Sequence, residues 1–557
     1  MTTQTTTAVR GGVFAVAALV AAGCASGDSI LNAGNDGTRP PTPRTTAAPG
    51  AVGPGTTLSL TGRAVPTTID LTGAAPSPAA ATMPLAATTI PLGGPSGPSG
   101  FAGAAGSARP LPATAPVGYA PCPVSALDER DPAAGPVRIT FWHTMTNVLE
   151  ESLVALTDAY NASQDRVVVE LSNQNGYEQV IDTYFQSGHA DRPHLVQMPD
   201  YMVQQMADAN TVVPIGACIQ TENYDISALL PRALLQYQTG GVQWSMPFNV
   251  SNPVLYYNRV MFEEAGLDPD DPPLTLEELR EFSEALVDSG AATFGWAVDT
   301  GIDSGGGWFL EQWFARAGLP YSDNGNGRGA RSTEVLFNVP EAVDMLGFVQ
   351  EMVLDGLAVN VGDNPGAQDV LLKLADPEQP AAMGITTSAG LGTVMTVLDG
   401  GLIPGLTSDD IGIGPMPGPT DTPSAIVGGA SLYIVRDKGD AESAAAWDYI
   451  KYLISAESQS EWAATTGYVP VNVDAVELDP LAATYAADPR FRVAYDQVLA
   501  GADDFASVGP VLGPMREIRS VTAQMMAHIY DGTAVEDALA AATEQANLLI
   551  IDYANRN

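Results

Sequence analysis

From Val137 onward the chain switches repeatedly between a two-residue and a 3.6-residue hydrophobic period. That alternation restricts the fold more than any other feature. Val137, Ile139 and Phe141 occupy every second position, as in a strand. Leu149, Leu153, Leu156 and Tyr160 then line one face of a helix. Val167-Val168-Val169 reads as a second strand, a helix follows Gly176-Tyr177-Glu178-Gln179, and His194-Leu195-Val196-Gln197 reads as a third strand. This order predicts an α/β lobe with a parallel sheet.

The stretch from Pro247 to Asn258 has two halves. Pro247 to Asn252 reads as a polar loop pinned by prolines, with Asn249, Ser251 and Asn252 offering hydrogen bonds. Val254 to Tyr257 is β-branched and aromatic and reads as a buried strand, with Pro253 at its entrance. Such a passage suits a binding residue or a hinge. Thr275 with Glu278 forms a capping box that starts a helix with Leu279, Phe282 and Leu286 inward. Helices are expected at 308–317, 340–354, 444–454 and 535–553. Gly428-Gly429 leads into a strand, and Thr466-Gly467-Tyr468-Val469-Pro470 reads as a turn. Asp323-Asn324-Gly325-Asn326-Gly327 is a turn and no calcium loop, because its third and fifth positions are glycines without a ligand oxygen.

The front of the chain follows another rule. Arg10 precedes an apolar run, 13–22, that is too short to span a membrane and ends in Gly23-Cys24. It resembles a bacterial lipoprotein signal over 1–23, cleaved so that Cys24 takes a lipid; Ala21 departs from the usual leucine. The alternative is a plain secretory signal, and in both readings the body is exported. Residues 24–120 are rich in Ala, Pro, Thr, Gly and Ser, lack a sustained period, and are expected to form a disordered tether. The folded body is then 121–557. It contains Cys122 and Cys218, which in an oxidising compartment either pair or remain as two buried thiols.

Catalytic signatures are scarce. The histidines His143, His189, His194 and His528 have no zinc-protease spacing, and neither a nucleophile elbow nor a phosphate-cradling Gly-Lys loop occurs. Paired carboxylates of a hydrolase can come from anywhere in a fold, so that class stays open. No metal or other cofactor is expected. With 24 Lys+Arg against 64 Asp+Glu the formal net charge is -40, which argues against nucleic acid as a partner.

The segments Trp142-His143-Thr144, Gly176-Tyr177-Glu178-Gln179, 247–258, 265–275, 426–432 and 466–471 occur in one order. Together they resemble the glycerol-3-phosphate-binding proteins of bacterial ATP-driven importers, within extracellular solute-binding protein family 1. The likeness runs from about Val137 to the C-terminus and leaves out the tether. It implies a two-lobe periplasmic-binding-protein fold with hinge-linked, discontinuous lobes, about 137–248 with 429–475 and about 253–427 with 480–557. The lobes close on a small phosphate-containing ligand without catalysis. Carried onto this sequence, the resemblance assigns ligand contacts to Tyr177, Asp200, Ser251, Leu276, Thr387 or Ser388, Gly429, Tyr468 and Arg519. Arg519 would give the phosphate a bidentate fork, and Asp200 would accept glycerol hydroxyls.

Two departures shape the expected ligand. Asp200 stands where the family often has glutamate, and Leu276 where a tryptophan often covers the ligand. Both favour a bulkier glycerophosphodiester, such as glycerophosphocholine, over sn-glycerol 3-phosphate. Trp142, Trp244 and Trp308 are candidates to face a quaternary ammonium. The resemblance further implies a monomer that works with permease subunits of an ABC importer, held to the outer face of the cytoplasmic membrane through Cys24. The alternatives are an oligosaccharide-binding protein of the same fold, a secreted phosphodiester hydrolase and, last, a structural adhesin.

Overall fold

The structure is a computed structural model that describes residues 119–557 apart from 365–367 and 503. The export signal, Cys24 and nearly all of the expected tether lie outside the described residues.

Thirteen strands are described: β1 (Val137–His143), β2 (Val167–Asn173), β3 (Leu195–Pro199), β4 (Val212–Val213), β5 (Gln238–Thr239), β6 (Val242–Gln243), β7 (Met246–Ser251), β8 (Pro253–Asn258), β9 (Phe294–Val298), β10 (Ala358–Asn360), β11 (Ala381–Thr387), β12 (Ile411–Pro415) and β13 (Gly428–Val435). They form two mixed sheets and one short hairpin. The first sheet runs β2-β1-β3-β13-β4, with β7 also paired to β13. The second runs β10-β9-β11-β8-β12, and β5 pairs with β6. Parallel pairing holds where the sequence alternates strand and helix: Val137 to His143 sits in register with Val167 to Asn173. The late strand β13 enters the first sheet antiparallel to β3.

The chain therefore passes from the first sheet to the second at Asn252, between β7 and β8, and returns between β12 and β13. The helices that matter for the site are α1 (Asn147–Ser163), α2 (Tyr177–Gln186), α3 (Pro231–Gln236), α4 (Leu276–Ser289), α5 (Trp308–Arg316), α6 (Pro340–Leu354), α7 (Asp440–Leu453), α8 (Ala456–Thr466), α9 (Met515–Tyr530) and α10 (Val535–Arg556). The expected capping box is present: Thr275 Oγ1 accepts from the Glu278 N–H at 3.1 Å, and Glu278 Oε2 accepts from the Thr275 N–H at 3.1 Å.

One expectation is corrected. Pro247 to Ser251 is not a loop but most of β7, buried at all six positions. The Asn249 and Asn252 side chains find partners inside the protein instead of in water. Pro247 is tolerated because the β7–β13 register shifts between Ala430 and Ser431, where the ladder is already interrupted. Cys122 and Cys218 form a disulfide across a separation of 96 residues. Asn324 and Gly325 break the helical conformation at φ 53° and 65°, so 323–327 is a turn. Among the described residues no helix is long and apolar enough to cross a membrane, and no group of His, Cys, Asp and Glu is arranged to hold a metal.

Candidate binding site

The site has a hydroxyl half and a charged half. The hydroxyl half is built on Asn249 of β7. Its Nδ2 donates to the phenol oxygens of Tyr177 at 3.3 Å and Tyr468 at 3.2 Å. Its Oδ1 accepts from Gln197 Nε2 at 2.7 Å, and Gln197 Oε1 accepts from the N–H and Oγ1 of Thr144 at 2.8 and 3.0 Å. The residue after β1 and the interiors of β3 and β7 are thereby tied to the start of α2 and to the turn after α8. Tyr468 is stacked on Trp462 at 5.4 Å, and Trp462 on Phe248 at 5.0 Å, which fixes the phenol's direction.

Gly429 lies beside this cluster with φ 94°, and a Cβ there would sit 2.1 Å from the Asn249 carbonyl oxygen. Ser251 is buried and opposite Gly428 in the ladder. Ser388 joins from the end of β11: its N–H donates to the Asn252 carbonyl at 2.9 Å, and its Oγ accepts from the Asn252 N–H at 3.4 Å. Thr387 is used locally, its Oγ1 accepting from the Ala389 N–H at 3.2 Å.

The charged half is built on Arg519 of α9, which is 2% exposed. Its Nε and Nη2 donate to the two oxygens of Glu311 at 2.7 and 2.9 Å. Nη2 also donates to Asp200 Oδ2 at 3.1 Å, and Nη1 to Asp303 Oδ1 at 3.3 Å. The guanidinium lies 4.9 Å from the Tyr201 ring centroid. Burial pushes the Glu311 carboxyl up to about 7 against the pull of Arg519, and burial also raises Asp200. Burial drives His143, the residue before Thr144, down to about 4, so that ring is neutral at ordinary pH.

Sequence reasoning missed Glu311, Asp303 and Gln197. A signal existed for Glu311: every residue of α5 is buried, so the acid in Trp308-Phe309-Leu310-Glu311 had to find a cation. Leu276 is 5% exposed at the start of α4 and belongs to an apolar cluster, with its N–H donating to the Gly418 carbonyl at 3.0 Å. Trp308 comes close to the site, since a Cβ on Gly428 would lie 2.3 Å from its ring, and its indole N–H has no partner. Trp244 packs edge-on to Tyr119 at 5.9 Å, and Trp142 packs against the core.

Two sheets are joined by crossing strands, and polar groups gather near the crossing. A family model described as "Bacterial extracellular solute-binding protein" matches residues 155–493. The chain belongs to that family. Its members bind solutes and are not enzymes. The chain is 28% identical over 427 residues to the sn-glycerol-3-phosphate-binding periplasmic protein UgpB of Salmonella paratyphi A, covering 74% of this chain and 92% of that protein. It is 27% identical over 428 residues to UgpB of Pectobacterium atrosepticum, covering 74% and 91%. Its fold is similar to that of UgpB from Mycobacterium tuberculosis in complex with glycerophosphocholine, with TM-score 0.60 and 21% identity over 75% of this chain and 98% of that one. It is equally similar to the cyclic alpha-maltosyl-1,6-maltose binding protein from Arthrobacter globiformis, with TM-score 0.61 and 22% identity over 75% and 99%.

Proposed function

We propose that this extracellular solute-binding protein serves an ABC importer and takes a glycerophosphodiester, with glycerophosphocholine preferred to sn-glycerol 3-phosphate. In this reading Arg519, Tyr177, Tyr468, Ser251, the Gly429 backbone and a hydroxyl at Thr387 or Ser388 hold the phosphate, while Asp200 accepts glycerol hydroxyls. The names of its relatives and of one structural neighbour support the ligand class. Lipid attachment at Cys24, monomeric action and docking on permease subunits belong to the same proposal.

The observation that carries the ligand preference is the charge count at Arg519. One guanidinium faces three acidic groups, Asp200, Asp303 and Glu311, so even with Glu311 partly protonated near pH 7 the cluster has no positive charge to spare. A phosphomonoester brings up to two further negative charges into that cluster. A choline diester brings one and carries its own cation, so its net charge is near zero. The difference in Coulomb energy favours the diester.

Calorimetric titration of the full chain with the two compounds tests this. Glycerophosphocholine is expected to bind at least about tenfold more tightly, a difference of about 1.4 kcal/mol. Tighter binding of the monoester would overturn the charge argument. A second reading, an oligosaccharide ligand, is favoured by the same three acceptors, which suit sugar hydroxyls as well as they repel anions. Binding of maltose with no response to either phosphate would establish it.

A further inference from the structure

Tyr237 follows α3 and opens the β5–β6 hairpin. Its backbone is pinned: the N–H donates to the Leu234 carbonyl at 3.2 Å, and the carbonyl accepts from the Trp244 N–H at 3.3 Å. Its side chain has no exposure to solvent and lies in one apolar cluster with Phe248, Val250 and Tyr468. Yet its hydroxyl has no hydrogen-bond partner. Buried tyrosine hydroxyls ordinarily find one, and an unmade bond is a cost to the folded state. Packing alone gives no reason for the oxygen, because phenylalanine fills the same volume.

The surroundings supply a reason. The Tyr237 phenol is within electrostatic reach of Asp200 and Tyr468, and the Tyr177 phenol is within reach of Tyr237. Asp200 belongs to the Arg519 cluster and the two tyrosines to the Asn249 cluster. Tyr237 therefore stands where the two halves of the site approach each other, with a donor that nothing in the protein uses.

We propose that Tyr237 binds the solute directly, its phenol O–H donating to a phosphate or hydroxyl oxygen held beside Tyr177, Tyr468 and Asp200. This rests on reading the Asn249 and Arg519 clusters as the solute site, and it deepens that reading by adding a ligand contact that neither the Asn249 network nor Arg519 provides.

The test pairs the wild-type full chain with Tyr237→Phe. Each is titrated calorimetrically with glycerophosphocholine and with maltose, and melted without ligand. The variant is expected to bind the wild type's ligand about tenfold more weakly or worse. Its ligand-free melting temperature is expected to be unchanged or higher, because the unpaired oxygen is gone. Equal affinity in the two proteins would overturn the proposal and leave the ligand assignment standing. A ligand-free variant several degrees less stable would also overturn it, since the hydroxyl would then have a structural partner. Wild type that binds maltose alone would sink the phosphodiester reading, while the Phe comparison on maltose still decides Tyr237. Wild type that binds neither overturns both.

Discussion

Arg519 is the residue on which the charged half of the site depends, and Glu311 is the group that holds its orientation. Glu311 titrates at about 7 in the folded protein because it is buried, above its ordinary value of 4.5. A carboxyl raised on folding lends stability that is fully present below its unfolded pKa and is lost as pH rises through its folded one. Glu311→Gln does not titrate. Its unfolding free energy relative to wild type should therefore rise by on the order of 1–3 kcal/mol between pH 5 and pH 8. His143 acts in the opposite sense, losing stability as pH falls through about 4, but it is common to both proteins and cancels. Urea denaturation of the pair at three pH values checks this, and a pH-independent difference would refute it. At this scale the sequence was partly legible. Tyr177, Tyr468 and Arg519 sit in recognisable motifs, whereas Tyr237 sits in ordinary Leu-Leu-Gln-Tyr helix-end surroundings that carry no pattern.

At the scale of elements, the crossing of β7 and β13 sets the geometry. Gly429 needs a positive φ and leaves room for the Asn249 carbonyl, so a methyl group cannot be added without moving β7. Gly429→Ala should cost about 2–4 kcal/mol in stability and abolish ligand binding, because Asn249 orients both tyrosines. Chemical denaturation and calorimetry on one preparation check both parts; a stable variant with wild-type affinity would show that the close approach is not required. Most elements could be read from the chain because their signals are local. The capping box at Thr275 and the Pro340 start of α6 are examples. The β7 strand could not. Its loop-like polarity comes from Asn249 and Ser251, and the partners of Asn249 lie 52 and 219 positions away. The antiparallel entry of β13 was hidden for the same reason, as nothing local fixes the direction of a strand that arrives from the far end of the chain.

At the scale of the whole molecule, arginines from the second-sheet side of the chain cross to acids on the first-sheet side. Arg516 pairs with Glu178 and Asp182, Arg519 with Asp200, and Arg331 with Asp208. Tyr553 of α10 adds a hydrogen bond to Asp208 at 2.9 Å. That the two halves meet through ion pairs was not legible, because the partners lie 123 to 338 residues apart. These contacts bear on the speed of capture rather than its strength. A solute of zero net charge is not drawn in from a distance by a protein of formal charge -40. If such a solute is the ligand, its arrival is expected to be paced by how often these arginine pairs let go. Salt weakens the partly exposed pairs of Arg516 and Arg331, though not the buried Arg519–Asp200 pair, so the association rate constant in stopped-flow fluorescence should rise about two- to fivefold between 0.05 and 0.5 M sodium chloride. Charged encounters do the reverse, so a rate that falls with salt would mean that field-driven collision, not release of these pairs, sets the pace at which this protein fills.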